Sequence, residues 1–259
     1  MDRKGAVALI TGGGKGVGAG IARVFARAGI RVAINYNSNG ELAEKTLEGI
    51  LQGGGEAFLI KADITDRAQI KRMVAETVER YGGIDALVNN AAIQPNRQIG
   101  AYDGELFKKV WEINIGGYWR ATQECLPYLK KSDCPRIVNI SSLHGKRPSV
   151  FDPGYSMTKG AIRMFTREAA LEFGEYGITV NCIDLGGCKI EFKTKLPGYE
   201  PLRGSFPNWP EKTRANPHQP LRRMAEPEDV GNLALYLISP EARNVNGDGI
   251  RLDGGAMLT

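Results

Sequence analysis

Short apolar runs alternate with longer amphipathic ones along the whole chain. "AVALIT" precedes a 3.6-residue pattern from about Gly16 to Ala28, "RVAIN" one from Leu42 to Leu51, and "AFLIKAD" the stretch "DRAQIKRMVAETVERYG". "DALVNN" leads into helical patterning through Leu129, and "RIVNISS" into a helix from Tyr155 to Phe173. "ITVNCID" leads into a segment that reads as irregular, and "GIRLDGG" closes the series. Strands apolar on both faces, separated by helical crossovers, predict a parallel sheet covered by helices on both sides. The expectation is an α/β fold, a single doubly wound Rossmann-type domain over 1–259 with seven mostly parallel strands.

One stretch breaks the alternation. Lys195 to Pro220 holds six of the chain's 13 prolines, a density that excludes a long helix or central strand. Lying after the sixth strand, at the sheet edge where such folds bind ligands, residues 187–220 are expected to form a substrate loop.

Composition narrows the partners. A net charge of +5 is spread over 34 basic and 29 acidic residues without a basic block, which argues against nucleic acid. Cys125, Cys134, Cys182 and Cys188 form no CxxC pair, and with His144 and His218 they make no zinc spacing, so no metal is expected. No apolar run reaches the ~18 residues of a membrane span, and the N-terminus has no signal-peptide layout; a cytoplasmic protein acting on a small molecule is the expectation.

Candidate chemistry lies at three places. "TGGGKGVG" joins the first strand to the first helix; Gly12, Gly16 and Gly18 leave backbone N–H groups free to approach a pyrophosphate, and the helix N-terminus favours the anion. At the end of the second strand an acid would accept from a ribose 2′-hydroxyl, but the chain has Tyr36, Asn37 and Ser38. With Lys15 in the glycine turn, NADP(H) is expected over NAD(H). Tyr155 and Lys159, four residues apart on one helical face, place an ammonium where it would lower a phenol's pKa toward working pH. Such a phenol can exchange a proton with a substrate oxygen.

Taken together, the glycine turn, "NNAA", "NISS" and "YSMTK" resemble the short-chain dehydrogenase/reductase family over nearly the whole chain. The resemblance implies Tyr155 as general acid/base, Lys159 on the nicotinamide ribose, and Ser142, thirteen residues before the tyrosine, on the reacting oxygen. It implies Asn114 as the residue that bends a helix and serves the proton relay. Val17, Asp63, Ile64, Asn90, Ala91, Gly186 and Cys188 would join the cofactor site, and His144 the substrate mouth. Asn89 would lie on the sheet edge beside the cofactor; for Asp63 and Asn89, turn capping and sheet support are the alternative to direct contact. The chain departs from the family at Leu185 and Ile190, which replace a proline and a threonine that hold the nicotinamide, and at Ala92, which replaces a glycine. A sugar or polyol is one substrate class, from the likeness of "SSLHGKRP" to sugar-oxidising relatives. A 3-oxoacyl carrier protein is an alternative, opposed by the non-basic Asp133 and Tyr176, and a non-catalytic nucleotide-binding regulator is another. The family implies a homotetramer or homodimer built on the helices around Val110–Leu129 and Tyr155–Phe173.

Overall fold

The computed structural model describes residues 3–148, 152–190 and 220–258. Seven strands form one parallel sheet in the order β3-β2-β1-β4-β5-β6-β7. They are β1 (Val7–Ile10), β2 (Arg31–Tyr36), β3 (Ala57–Lys61), β4 (Ala86–Asn89), β5 (Arg136–Ile140), β6 (Thr179–Leu185) and β7 (Gly249–Leu252). The chain leaves β1 toward β2 and β3, then returns to place β4 on the other side of β1. That reversal parts the connections that follow β1 and β4 and opens a crevice at the strands' carboxyl ends.

The central strands are buried on both faces because helices cover both. On one side α3 (Arg67–Tyr81), α5 (Gly117–Leu129) and α6 (Pro153–Phe173) pack Met73, Cys125, Leu129 and Phe173 against Leu9, Leu87, Ile137 and Val180. On the other, α1 (Gly16–Arg27), α2 (Gly40–Gln52) and α7 (Pro227–Ile238) pack Ile21, Phe25, Ile50 and Leu237 against Ile10, Ile34, Val88 and Ile183. Truncating one of these fully buried side chains to alanine costs about 2–5 kcal/mol. Among the described residues no helix is long and apolar enough to cross a membrane.

Helix α7 corrects the expectation of an irregular segment between the sixth and seventh strands. It begins with Pro227 at its first turn and a capping box in which Glu226 and Asp229 satisfy each other's backbone N–H. It crosses α1 closely: a Cβ at Gly20 would run into Pro227, and one at Gly231 would lie 2.7 Å from Val24 Cγ2. Arg23 pairs with Glu228 across the crossing at 2.7 Å. The proline-dense stretch before it obscures this crossover, whose helix is stabilised by burial against α1 and not by its own length. Most of the expected substrate loop lies outside the described residues.

Candidate active site

The β1–α1 turn is built for close approach. Gly12 and Gly16 have φ of +61° and +54°, a Cβ on Gly12 would lie 2.9 Å from Ala91 Cα, and one on Gly18 would strike the Gly12 carbonyl. Asn35 Oδ1 accepts from Gly12 N at 3.1 Å, and Asn90 Nδ2 donates to the carbonyls of Thr11 and Gly12 at 2.9 and 3.0 Å. Helix α1 has no side-chain cap, as its N-cap residue is Lys15 in an extended conformation. Its first N–H groups therefore face a crevice of about 280 Å³.

That crevice is lined by Gly12, Lys15, Gly16, Val17, Tyr36, Asn37, Ser38, Asp63, Ile64, Asn90 and Ala91, all expected there. Gly14, Asn35, Asn39, Ala62, Ile93 and Ile113 line it too and were not among the expected cofactor residues, and Ala92, where the chain departs from the family's glycine, lines it beside them. Asn35 reads as a buried strand residue, so only its bond to the turn reveals it. Gly18, Gly186 and Cys188 are not on the lining. Gly18 packs beneath the turn, Gly186 donates its N–H to the Leu252 carbonyl, and Cys188 bridges to Ala225. Ile190 does line the crevice, and a Cβ on Gly16 would touch its Cγ2 at 3.5 Å. Asp63 supplies the crevice's carboxylate; Asn37 Nδ2 donates to it at 3.0 Å and Thr65 Oγ1 at 2.7 Å.

A second group gathers where β5 ends and α6 begins. Tyr155 hydrogen-bonds Ser142 through their side chains. Ser141, the neighbouring hydroxyl, is instead turned to the Lys159 carbonyl at 3.0 Å, where it fastens α6 to the sheet. Lys159 is 2 % exposed, its Nζ donates to the Ile140 carbonyl at 2.7 Å, and it stands 5.4 Å from the Tyr155 ring centroid. Between α4 (Gly104–Trp111) and α5 a π-helical turn spans Glu112–Gly116 and holds the buried Asn114. Asn114 accepts from Ile93 N at 2.9 Å and donates to the Ile93 carbonyl and Thr158 Oγ1 at 3.0 and 3.1 Å. It thus joins the crevice wall to the helix carrying Tyr155. Asn89 Nδ2 donates to Thr122 and Asn139, and so supports the sheet. His144 follows Ser142 in a single 3₁₀ turn, its backbone N–H on the Ser142 hydroxyl at 3.2 Å.

The electrostatics differ from the sequence-based expectation. Burial, set against the Ser142 hydrogen bond, pushes the Tyr155 phenol up to about 12 instead of down. Burial also pushes the Lys159 ammonium down to about 7. Both groups resist charge because they have left water. His144 is lowered by burial as well. Sequence reasoning missed Asp184, fully buried at the end of β6 and paired with Arg163 of α6 and, at 3.2 Å, with Lys146.

A family model described as enoyl-(acyl carrier protein) reductase matches residues 12–257. A 2,5-dichloro-2,5-cyclohexadiene-1,4-diol dehydrogenase of Sphingobium indicum is 34% identical, the match covering 97% of this chain and 96% of the relative. The chain belongs to the short-chain dehydrogenase/reductase family. It is an oxidoreductase, as the family's dehydrogenases and reductases are. An L-fucose dehydrogenase of Bos taurus is 35% identical over 98% of this chain and 90% of its own. A short-chain dehydrogenase of Burkholderia cenocepacia, solved in complex with NADP, superposes with a TM-score of 0.85 at 29% identity, covering 99% of this chain and 100% of its own.

Proposed function

We propose that the protein interconverts a secondary alcohol and a ketone, or a cyclic hemiacetal and a lactone, with a sugar, polyol or cyclic diol as substrate and NADP(H) as hydride carrier. The observation that carries the reading is the Ser142–Tyr155–Lys159 cluster at the same sheet edge as the glycine crevice. When bound, the dinucleotide would supply the hydride. Gly12, Gly16 and the α1 N-terminus would hold its pyrophosphate, and Tyr36, Asn37, Ser38 and Lys15 the adenosine ribose.

The phenol, at about 12, is protonated near neutrality and is a proton donor to a carbonyl oxygen. Ser142 fixes that oxygen's partner, and Lys159 holds the phenol's surroundings in place. Alcohol oxidation needs the phenolate, so its rate is expected to climb through the alkaline range while ketone reduction changes little. NADP(H) is favoured because no acid ends β2 and the crevice's carboxylate, Asp63, is engaged by Asn37 and Thr65. A second substrate reading, a 3-oxoacyl carrier protein, has the family model's description in its favour. The named activities of the diol and fucose relatives favour the first.

The test is nucleotide absorbance with NADP⁺ and NAD⁺ against L-fucose, glucose, polyols and cyclohexane-1,2-diol, and with NADPH against cyclic ketones and a 3-oxoacyl thioester. Turnover of a sugar or diol with higher kcat/KM for NADP⁺ is expected. Turnover of the thioester alone would shift the assignment to the second reading, and none with either nucleotide would leave a regulator. The family's homodimer or homotetramer belongs to the same proposal; Trp119, Met164 and Leu171 of α5 and α6 are exposed and suit such a seam. Light scattering reads the mass directly.

A further inference from the structure

The four residues "DPGY", 152 to 155, open the helix that carries Tyr155. Asp152 is fully buried, and its carboxylate caps α6 by accepting from Tyr155 N at 3.0 Å. The same carboxylate reaches outward to the loop after β4, which passes beside the crevice. Its Oδ2 accepts from Asn96 N at 2.7 Å, and its Oδ1 accepts from the Tyr102 hydroxyl. Asn96 is in the left-handed region at φ +55°, which few residues other than glycine and asparagine adopt readily. Gly154 is required for the approach: a Cβ there would lie 2.6 Å from the Tyr102 hydroxyl oxygen. An ordinary N-cap needs none of this, since serine or threonine would cap the helix alone.

We propose that Asp152 is a positioning residue that ties the Asn96–Tyr102 loop to the first turn of the catalytic helix, so that the loop and the Tyr155 phenol are seated as one unit. The proposal rests on the reading of Tyr155 as acid/base. Tyr155 is also faced by Ser142 after β5, by Lys159 on its own helix and by Tyr118 from α5; Asp152 is faced by Tyr102 and His144. Burial is the main cause that raises the phenol, and within that set the Asp152 carboxylate adds to it.

Asp152→Asn keeps the cap and releases only the Asn96 half of the tether, because the amide oxygen can still accept from Tyr155 N and the Tyr102 hydroxyl, as Oδ1 does, while the amide nitrogen cannot accept from Asn96 N. Hydrogen exchange of the Asn96 amide is expected to quicken about tenfold or more, with exchange in the β1 and β5 strands unchanged. With NADP⁺ and cyclohexane-1,2-diol as probe, kcat is expected to fall about tenfold, the nucleotide Kd to stay within about twofold, and the alkaline rise in oxidation to begin ~0.5 pH unit lower. A purely structural role would lower the rate without moving that profile. Tyr102→Phe and Gly154→Ala, which keep the cap, are expected to quicken Asn96 exchange too and decide the matter if Asp152→Asn does not fold. Unchanged Asn96 exchange overturns the tether, and an unmoved profile overturns the link to Tyr155. Full activity in Tyr155→Phe would instead sink the acid/base reading and leave the tether standing.

Discussion

Two hollows of nearly equal size lie at opposite edges of the sheet, about 280 Å³ at the carboxyl ends of the strands and about 300 Å³ at the amino ends. The second is lined by Val7, Arg31, Tyr81, Asp85, Tyr128 and Lys131. It has charge and an aromatic wall, yet its polar groups serve the fold. Asp85 accepts from Val7 N at 2.8 Å and from the Ser132 hydroxyl at 2.5 Å, Arg31 donates to the Gly5 carbonyl, and its guanidinium lies 5.3 Å over Tyr81. Helices α3 and α5 end there and present carbonyls, whereas α1 and α6 begin at the other edge, where the uncapped α1 presents N–H groups. Volume therefore does not distinguish the two hollows. The direction of the strands does, because in a parallel sheet every crossover helix starts at the same edge and gathers its donors there.

The sharpest way to break this comparison is at the phenol. Tyr155→Phe is expected to cut kcat about 1,000-fold with little change in melting temperature, read by nucleotide absorbance. Full activity would remove chemistry from the carboxyl edge. Next, Gly18→Ala presses a methyl against the Gly12 carbonyl, so NADPH affinity measured by titration calorimetry is expected to weaken about 100-fold.

A subtler contrast is in stability. Lys159 falls from 10.5 to about 7 on folding, so between those values the unfolded chain binds the extra proton and folding stability rises with pH. Without nucleotide, denaturant titrations are expected to show a gain of about 1 kcal/mol per pH unit within that window, and Lys159→Met to flatten it. The smallest effect belongs to the amino edge: Arg31→Ala and Lys131→Ala are expected to alter kcat/KM less than about twofold. A tenfold loss would make that hollow functional.

All seven strands and the helices among the first six were legible because apolar periodicity is a local consequence of a buried sheet. The glycine turn was legible for a related reason, since Gly12 and Gly16 take positive φ, a requirement that side chains cannot meet. Helix α7 was not read, although Pro227, Glu226 and Asp229 write a start signal, because its stability comes from the crossing with α1 that Gly20 and Gly231 permit. Asn35 and Asp184 escaped for the same reason: a polar residue in a strand acquires its meaning only from a distant partner.

By itself the sequence determined the order of the elements, the turn at the first crossover, and the phenol and ammonium on one helical face. Each of these is set by spacing over a few residues. Tertiary structure alone decided the burial that drives Tyr155 and Lys159 away from charge, the turning of Ser141 to the α6 backbone while Ser142 meets the phenol, and the carboxylate of Asp152 joining a loop to a helix. Those outcomes depend on desolvation and on contacts between residues 13 to 56 positions apart, about which a local pattern carries no information.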